Sequence, residues 1–318
     1  PGFRFLGGDG GGGGVGVYFA DPGASFAASG IISGGNGGDG GAANGTTAIG
    51  GAGGAGGTGI AGNGVSLAIT GSVRGGDGGL GGIAPNGSAG GAGAGGAGIV
   101  GSDLTIVTGG TISGGLSGDG VRANALTFTG GSNTLTFQNA TSGLTGDIVV
   151  QGLGTTLTFD QNNGVDVAVE NAVTGDGSII KDGANSVILS GDNTFSGSMT
   201  ILAGTLVVSG TLSGTTYIED GTVLKGTGTM SNVTIRSGGI HAPGNSIGTQ
   251  TILGAYVLGP GAILEIETNA AGQSDKVIVQ GTVDLTGSIL RVLADNGSYA
   301  ARTSYVIIDN DGNDAIAG

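Results

Sequence analysis

The sequence predicts an all-β chain: a right-handed three-sided parallel β-helix, or solenoid, with Gly-rich loop insertions in its N-terminal part. Three observations lead there. Gly occupies 79 of 318 positions, and each Gly placed in a helix interior costs about 1 kcal/mol relative to Ala. The hydrophobic 37% of the chain, at a mean hydropathy of +0.28, is dominated by short and β-branched side chains, which build a core from strands. Turn residues close short apolar runs every ~7–10 residues, tighter than the spacing of a sandwich with long crossovers.

The first 120 residues hold 48 of the glycines, against 31 in the remaining 198. Gly-rich tracts at 7–14, 50–59 and 87–98 alternate with strand-like segments at 65–70 and 103–108. These segments repeat. Gly59-Ile60 aligns with Gly98-Ile99 at a displacement of 39 residues, and Ile31-Ile32-Ser33 precedes Ser72-Val73-Arg74 by 41. Periods of this size mark solenoids, in which each unit buries its apolar face on the next. About three units are expected here, each a pair of coils with a Gly-rich excursion, and the tracts themselves are expected to be flexible or polyglycine-type surface loops.

From residue 121 short strands follow one another at 125–129, 134–138, 147–151, 155–160, 165–170, 186–190, 199–202 and 205–209. Each alternates apolar residues with Thr, Ser or Asp and closes on Gly, Asn or Asp. The longest stretch free of Gly and Pro, 298–311, reads as strand around 304–308. The domain plan is a Gly-rich repeat region at 1–120, a β-helix at 121–240 and a C-terminal cap at 241–318.

Composition excludes several function classes. No strict Gly-X-Y period runs through the chain and Pro numbers only 5, which excludes collagen. A net charge of −14, with 9 basic residues scattered singly, disfavours nucleic acid and anionic membrane surfaces. No apolar run approaches the ~20 residues of a membrane span. The absence of Cys removes thiolate metal sites and Cys nucleophiles, and suits a chain exported unfolded. The start at Pro1, without a charged n-region and apolar h-region, reads either as a cytosolic start or, in better accord with the rest, as a fragment already trimmed.

Residues 177–210 read GSIIKDGANSVILSGDNTFSGSMTILAGTLVVSG. This resembles the autotransporter-associated β-strand repeat through Lys181, Ser190-Gly191, Asn193-Thr194-Phe195-Ser196-Gly197 and Ala203-Gly204-Thr205-Leu206. One coil of three strands and three turns is implied, with Phe195 capping a corner, and Gly197 and Gly204 supplying positive φ or close approach. A more degenerate copy covers 131–159, where Leu144-Thr145-Gly146 replaces the aromatic corner. The stretch from Ala242-Pro243-Gly244-Asn245 through Asn269 to Val279 resembles the C-terminal end of an autotransporter passenger. The resemblance implies a surface location reached through the periplasm. It also implies a partner, the protein's own C-terminal outer-membrane β-barrel, which this chain does not contain, and an autochaperone role for 241–311.

His241 is the only histidine; no G-x-S-x-G elbow accompanies it, and it is expected to be a turn residue beside Pro243. Glu265 and Glu267, and the adjacent Glu219-Asp220, are carboxylate pairs of the kind glycosidases use, but read as solvated strand edges. The Gly-Gly-Asp-Gly-Gly motifs at 37–41 and 75–79, with Gly7-Gly8-Asp9-Gly10, approach a Ca²⁺-binding nonapeptide but lack its further ligands. No catalytic, cofactor or metal residues are therefore assigned, and no cofactor is expected. The function expected is a non-enzymatic surface passenger serving adhesion or self-association, with host-surface or neighbouring-cell ligands. The alternatives are a polysaccharide-active β-helix enzyme and a Ca²⁺-stabilised secreted repeat protein.

Overall fold

A computed structural model describes residues 5–312 and 314–318; Pro1 lies outside them. Strands are the only regular elements among the described residues, and every strand-to-strand ladder is parallel. The chain divides into two compact units, 1–135 with 143–151, and 136–142 with 152–318. Each is a parallel β-solenoid.

In the first unit a coil consists of three short strands. Val17–Phe19, Ser25–Ala28 and Ile31–Ser33 form one coil; Ile60–Gly62, Ser66–Ile69 and Ser72–Arg74 the next; Ile99–Gly101, Thr105–Thr108 and Thr111–Ser113 a third. The two displacements in the sequence are the strand registers: Ile60 pairs with Ile99, and Ile31 with Ser72. Each repeat is a single coil plus one excursion, not a pair of coils. Alternation decides which side chains face in. Ile60, Ile99, Leu126 and Ile148 stack in one buried ladder, and Val73 lies on Ile112 in another.

The excursions are neither flexible nor loosely attached. Residues 7–16, 34–41, 50–59, 75–82, 90–98 and 114–118 run as extended tracts that hydrogen-bond to one another at every third residue. Gly51, Gly54 and Gly57 donate to the carbonyls of Gly41, Gly38 and Gly35, while Gly53 and Gly56 donate to Gly91 and Ala94. Gly10 and Gly13 donate in turn to Ala52 and Ala55. A repeat of three without hydrogen bonds inside a tract is the geometry of polyproline II, here packed laterally as a polyglycine lattice. Glycine is obligatory where tracts touch: a Cβ on Gly54 would fall on the carbonyl oxygen of Gly11, and one on Gly79 on that of Gly38. A Gly-X-X period therefore does exist, confined to runs of about three triplets whose phase restarts at each tract.

In the second unit three parallel sheets enclose the core. One contains Thr156–Asp160, Ser178–Asp182, Met199–Ile201, Thr216–Ile218, Val233–Ile235, Tyr256–Leu258 and Val283–Asp284. Another runs from Val167–Val169 to Ile289–Ala294, and the third from Asp192–Asn193 to Ile308–Asn310. Inward residues form ladders such as Val187, Leu206, Leu224, His241 and Leu264. The strand expected around 304–308 is shorter and later, at Ile308–Asn310. Among the described residues the strand Ile289–Ala294 pairs on one side only, with Ile263–Thr268, and leaves Leu290 and Val292 about half exposed.

Candidate functional site

The coil at 177–210 shows what its signature residues do. Lys181 lies in an inward ladder between Phe159 and Ile201 and is inaccessible to solvent. Its Nζ donates to three carbonyls, Asp182 at 2.9 Å, Gly183 at 2.7 Å and Ala203 at 2.9 Å, so the ammonium ties its own turn to the turn of the next coil. Desolvation pulls its pKa down to about 8, against the opposing pull of Asp182, Asp160 and Asp166. Asn193 spans three coils: its Oδ1 accepts from Val173 N, and its Nδ2 donates to Gly191 O and Thr211 O. Phe195 is fully buried at the corner, and Gly214 leaves the room its ring needs. Gly204 takes φ +70°, and Gly197 meets the carbonyl of Gly177 too closely for a side chain. In the degenerate copy Leu144–Thr145 pairs with Ile112–Ser113 instead of capping a corner.

His241 is not a turn residue. It sits on the strand Ile240–Pro243 with its ring in the core, because Leu224 and Leu264 flank it in the inward ladder. Nδ1 lies 2.6 Å from the Tyr256 hydroxyl and Nε2 lies 2.6 Å from Gln250 Oε1. Since the Gln oxygen can only accept, Nε2 carries the proton and Nδ1 accepts from Tyr256. Burial lowers its pKa to about 4 and raises that of Tyr256, so the pair is neutral and sealed from substrate.

The carboxylates expected at sheet edges sit elsewhere. Glu265 and Glu267 lie on Ile263–Thr268, which is paired on both sides, and Glu265 meets Arg291 at 3.3 Å. Glu219 follows the strand Thr216–Ile218 at a turn, where it accepts from Arg236 at 2.6 Å, and that guanidinium stands 5.2 Å over the Tyr217 ring. The Gly-Asp motifs serve the lattice. Asp9, Asp39 and Asp77 each turn Oδ1 to the backbone N–H of Ala52, Leu80 and Leu116, one repeat further on. Asp275, part of the C-terminal motif, accepts from Gly248 N and Glu267 N, with desolvation pushing its pKa up. Among the described residues no three His, Asp or Glu converge as a metal site, and no helix is long and apolar enough to cross a membrane.

The surface carries in-register rows along the coils, and on the first unit a polar pocket lined by Ser33, Asn36, Arg74 and Asp77. On the first unit Ser25, Ser66 and Thr105 line up in register, beside Ala27, Ala68 and Val107. These six side chains line a mostly apolar trough. A second groove runs past the exposed Tyr18 along Ala61 and Val100. On the second unit Thr158, Ile180, Thr200, Tyr217, Thr234 and Val257 form one outward row.

The passenger-associated-transport-repeat family matches residues 179–208. The adhesin BmaC autotransporter of Brucella suis biovar 1 is 28% identical over 208 residues, which are 59% of this chain and 6% of that protein. An extracellular serine protease of Serratia marcescens is 32% identical over 119 residues, 37% of this chain and 11% of that protein. A second protease of that description from the same organism is 29% identical over 126 residues, 39% of this chain and 12% of the relative. The chain thus spans about a tenth or less of the length of these curated relatives. The transport repeat occupies the coil held by Lys181, Asn193 and Phe195, and the similarity to an autotransporter adhesin extends well beyond it. The chain is thus similar to autotransporter proteins, and its residues 179–208 match the transport repeat that such passengers carry.

Proposed function

We propose that this passenger segment is a non-catalytic presenting scaffold that serves adhesion or self-association. The carrying observation is the form of the exposed surface: in-register rows of Ser, Thr, Ala and Tyr along the stacked coils. Such rows make many weak contacts that add by avidity, and bulky aromatic anchors are scarce in this chain. The inaccessible His241 and the ion-paired Glu219 and Glu265 favour this over hydrolysis. The chain's own partner in export would be a C-terminal outer-membrane β-barrel, and residues 241–318 would act as a cap that folds early. The 28% identity to a protein named an adhesin supports the reading. Beads coated with residues 1–318 should clump with one another or adhere to epithelial cells, and uncoated beads should not. Failure of both, together with hydrolysis of a polysaccharide or peptide panel, would overturn it in favour of an enzyme.

A further inference from the structure

A polar pocket opens where the strands Ile31–Ser33 and Ser72–Arg74 give way to their glycine tracts. Ser33 stands beside Arg74 in the strand register. Three residues further along each tract, the three-residue turn of the extended chain brings Asn36 and Asp77 to the same side. Gly34 and Gly75, both buried, complete the lining of a cavity of about 400 Å³. Two of these side chains are pinned by backbone. Asn36 Oδ1 accepts from Asp77 N at 2.9 Å, and Asp77 Oδ1 accepts from Leu116 N at 2.7 Å, so each is fixed to the coil that follows it. Among the described residues this leaves two oriented groups without a partner: Asn36 Nδ2, a double donor, and Asp77 Oδ2, an acceptor. The Arg74 guanidinium makes no hydrogen bond and no ion pair among the described residues, not even with Asp77. A cation and an anion that share a pocket without neutralising each other are two separate points of recognition.

We infer that this pocket binds a carboxylated sugar, a uronic acid residue of an acidic polysaccharide. The ligand carboxylate accepts from two N–H groups of Arg74, whose planar fork matches it, and Asn36 Nδ2 is a further donor. A ring hydroxyl beside the carboxylate donates to Asp77 Oδ2, and Ser33 Oγ serves a second hydroxyl. Asp77, and Asp39 one triplet further along the first of these tracts, put negative charge near the cation. That disfavours a phosphate dianion and leaves a singly charged, hydroxyl-bearing ligand as the match. Because Asn36 and Asp77 are ordered before the ligand arrives, little side-chain entropy is lost at two of the contacts. The site does not rest on the adhesion reading, because its groups are placed by the tracts and not by the rows on the strands.

The test is titration of glucuronate into the ¹⁵N-labelled chain, with glucose, acetate and inorganic phosphate as comparators. Saturable shifts of the Asn36 side-chain amide and of the backbone amides of Gly34, Gly75 and Asp77 are expected, with a Kd of about 1 mM for a single sugar on an open site. Glucose and acetate should each bind at least about tenfold more weakly, since each offers half of the match. Arg74→Gln, at an exposed position with no side-chain bonds to lose, should keep the melting temperature and weaken glucuronate at least about tenfold. No shifts at about tenfold the expected Kd, equal affinity for glucose, or undiminished binding to Arg74→Gln would each overturn the inference. Equal affinity for acetate or phosphate would also overturn it, by marking a plain anion site. Selective glucuronate binding by a chain whose beads neither clump nor adhere would uphold this site and overturn the adhesion reading.

Discussion

Lys181 carries an energetic argument that the sequence hides. A buried ammonium is costly unless every proton has an acceptor, and here three carbonyls supply them, none contributed by a carboxylate. Lys181→Met keeps the volume but orphans those carbonyls, and should lower stability by about 3 kcal/mol in thermal or urea melts. An unchanged melt would mean that water replaces the ammonium. His241 acts differently. Its folded pKa of about 4 lies below the ordinary 6.5, so between those values the unfolded chain binds a proton that the folded chain refuses. Stability attributable to this residue is intact above pH 6.5, falls as pH drops toward 4 and is flat below, a loss of up to about 3 kcal/mol. His241→Gln should flatten urea-melt stability across that window; a slope equal to that of the parent would contradict the assignment. Neither role is readable in sequence. Lys181 reaches Ala203, 22 residues on, and His241 meets partners 9 and 15 residues away. These separations follow from coil length, which only the stacked structure defines. Phe195 was legible, because an aromatic between Thr and Ser-Gly at a strand end has nowhere to go but the corner.

At the scale of the element, strand and tract obey different rules. Strands were legible where apolar residues alternate, as at Ser186–Leu189 and Thr205–Val208, and the displacements of 39 and 41 residues are the registers of Ile60 on Ile99 and Ile31 on Ser72. The tracts were not, because their stabilising groups are backbone N–H and C=O, which every residue carries. Only the three-residue phase of glycine signals them, and it resets at each tract. The consequence is a position-specific tolerance to side chains. Gly54→Ala places a methyl on Gly11 O and should destabilise the first unit by at least about 3 kcal/mol. Gly12→Ala, whose Cβ finds only Ala55 O at 3.7 Å, should fall within about 0.5 kcal/mol of the parent. Paired melts of the two variants check this, and equal effects would contradict a lattice.

Across the whole chain, two ways of ordering backbone serve one purpose. Residues 136–142 and 152–318 bury ladders of Val, Ile, Leu and Phe in parallel coils, so that order derives from apolar burial. In the first unit the coils do the same, while the excursions bury almost no side chain and offset the high backbone entropy of glycine with hydrogen bonds in several directions. A chain built this way presents an ordered glycine-rich surface, where composition alone suggests loose loops. Amide hydrogen exchange of the glycine tracts tests that claim most directly. The structure predicts slow exchange at Gly34, Gly35, Gly37, Gly38, Gly40 and Gly41, whose amides are all bonded to neighbouring backbone, Gly34 to Arg74 and the rest to adjoining tracts, and fast exchange at Asn36 and Asp39 between them. In tract 7–16, Gly10 and Gly13 should be slow and Gly11 and Gly14 fast. Uniformly fast exchange through these tracts would contradict the lattice and return them to disordered loops.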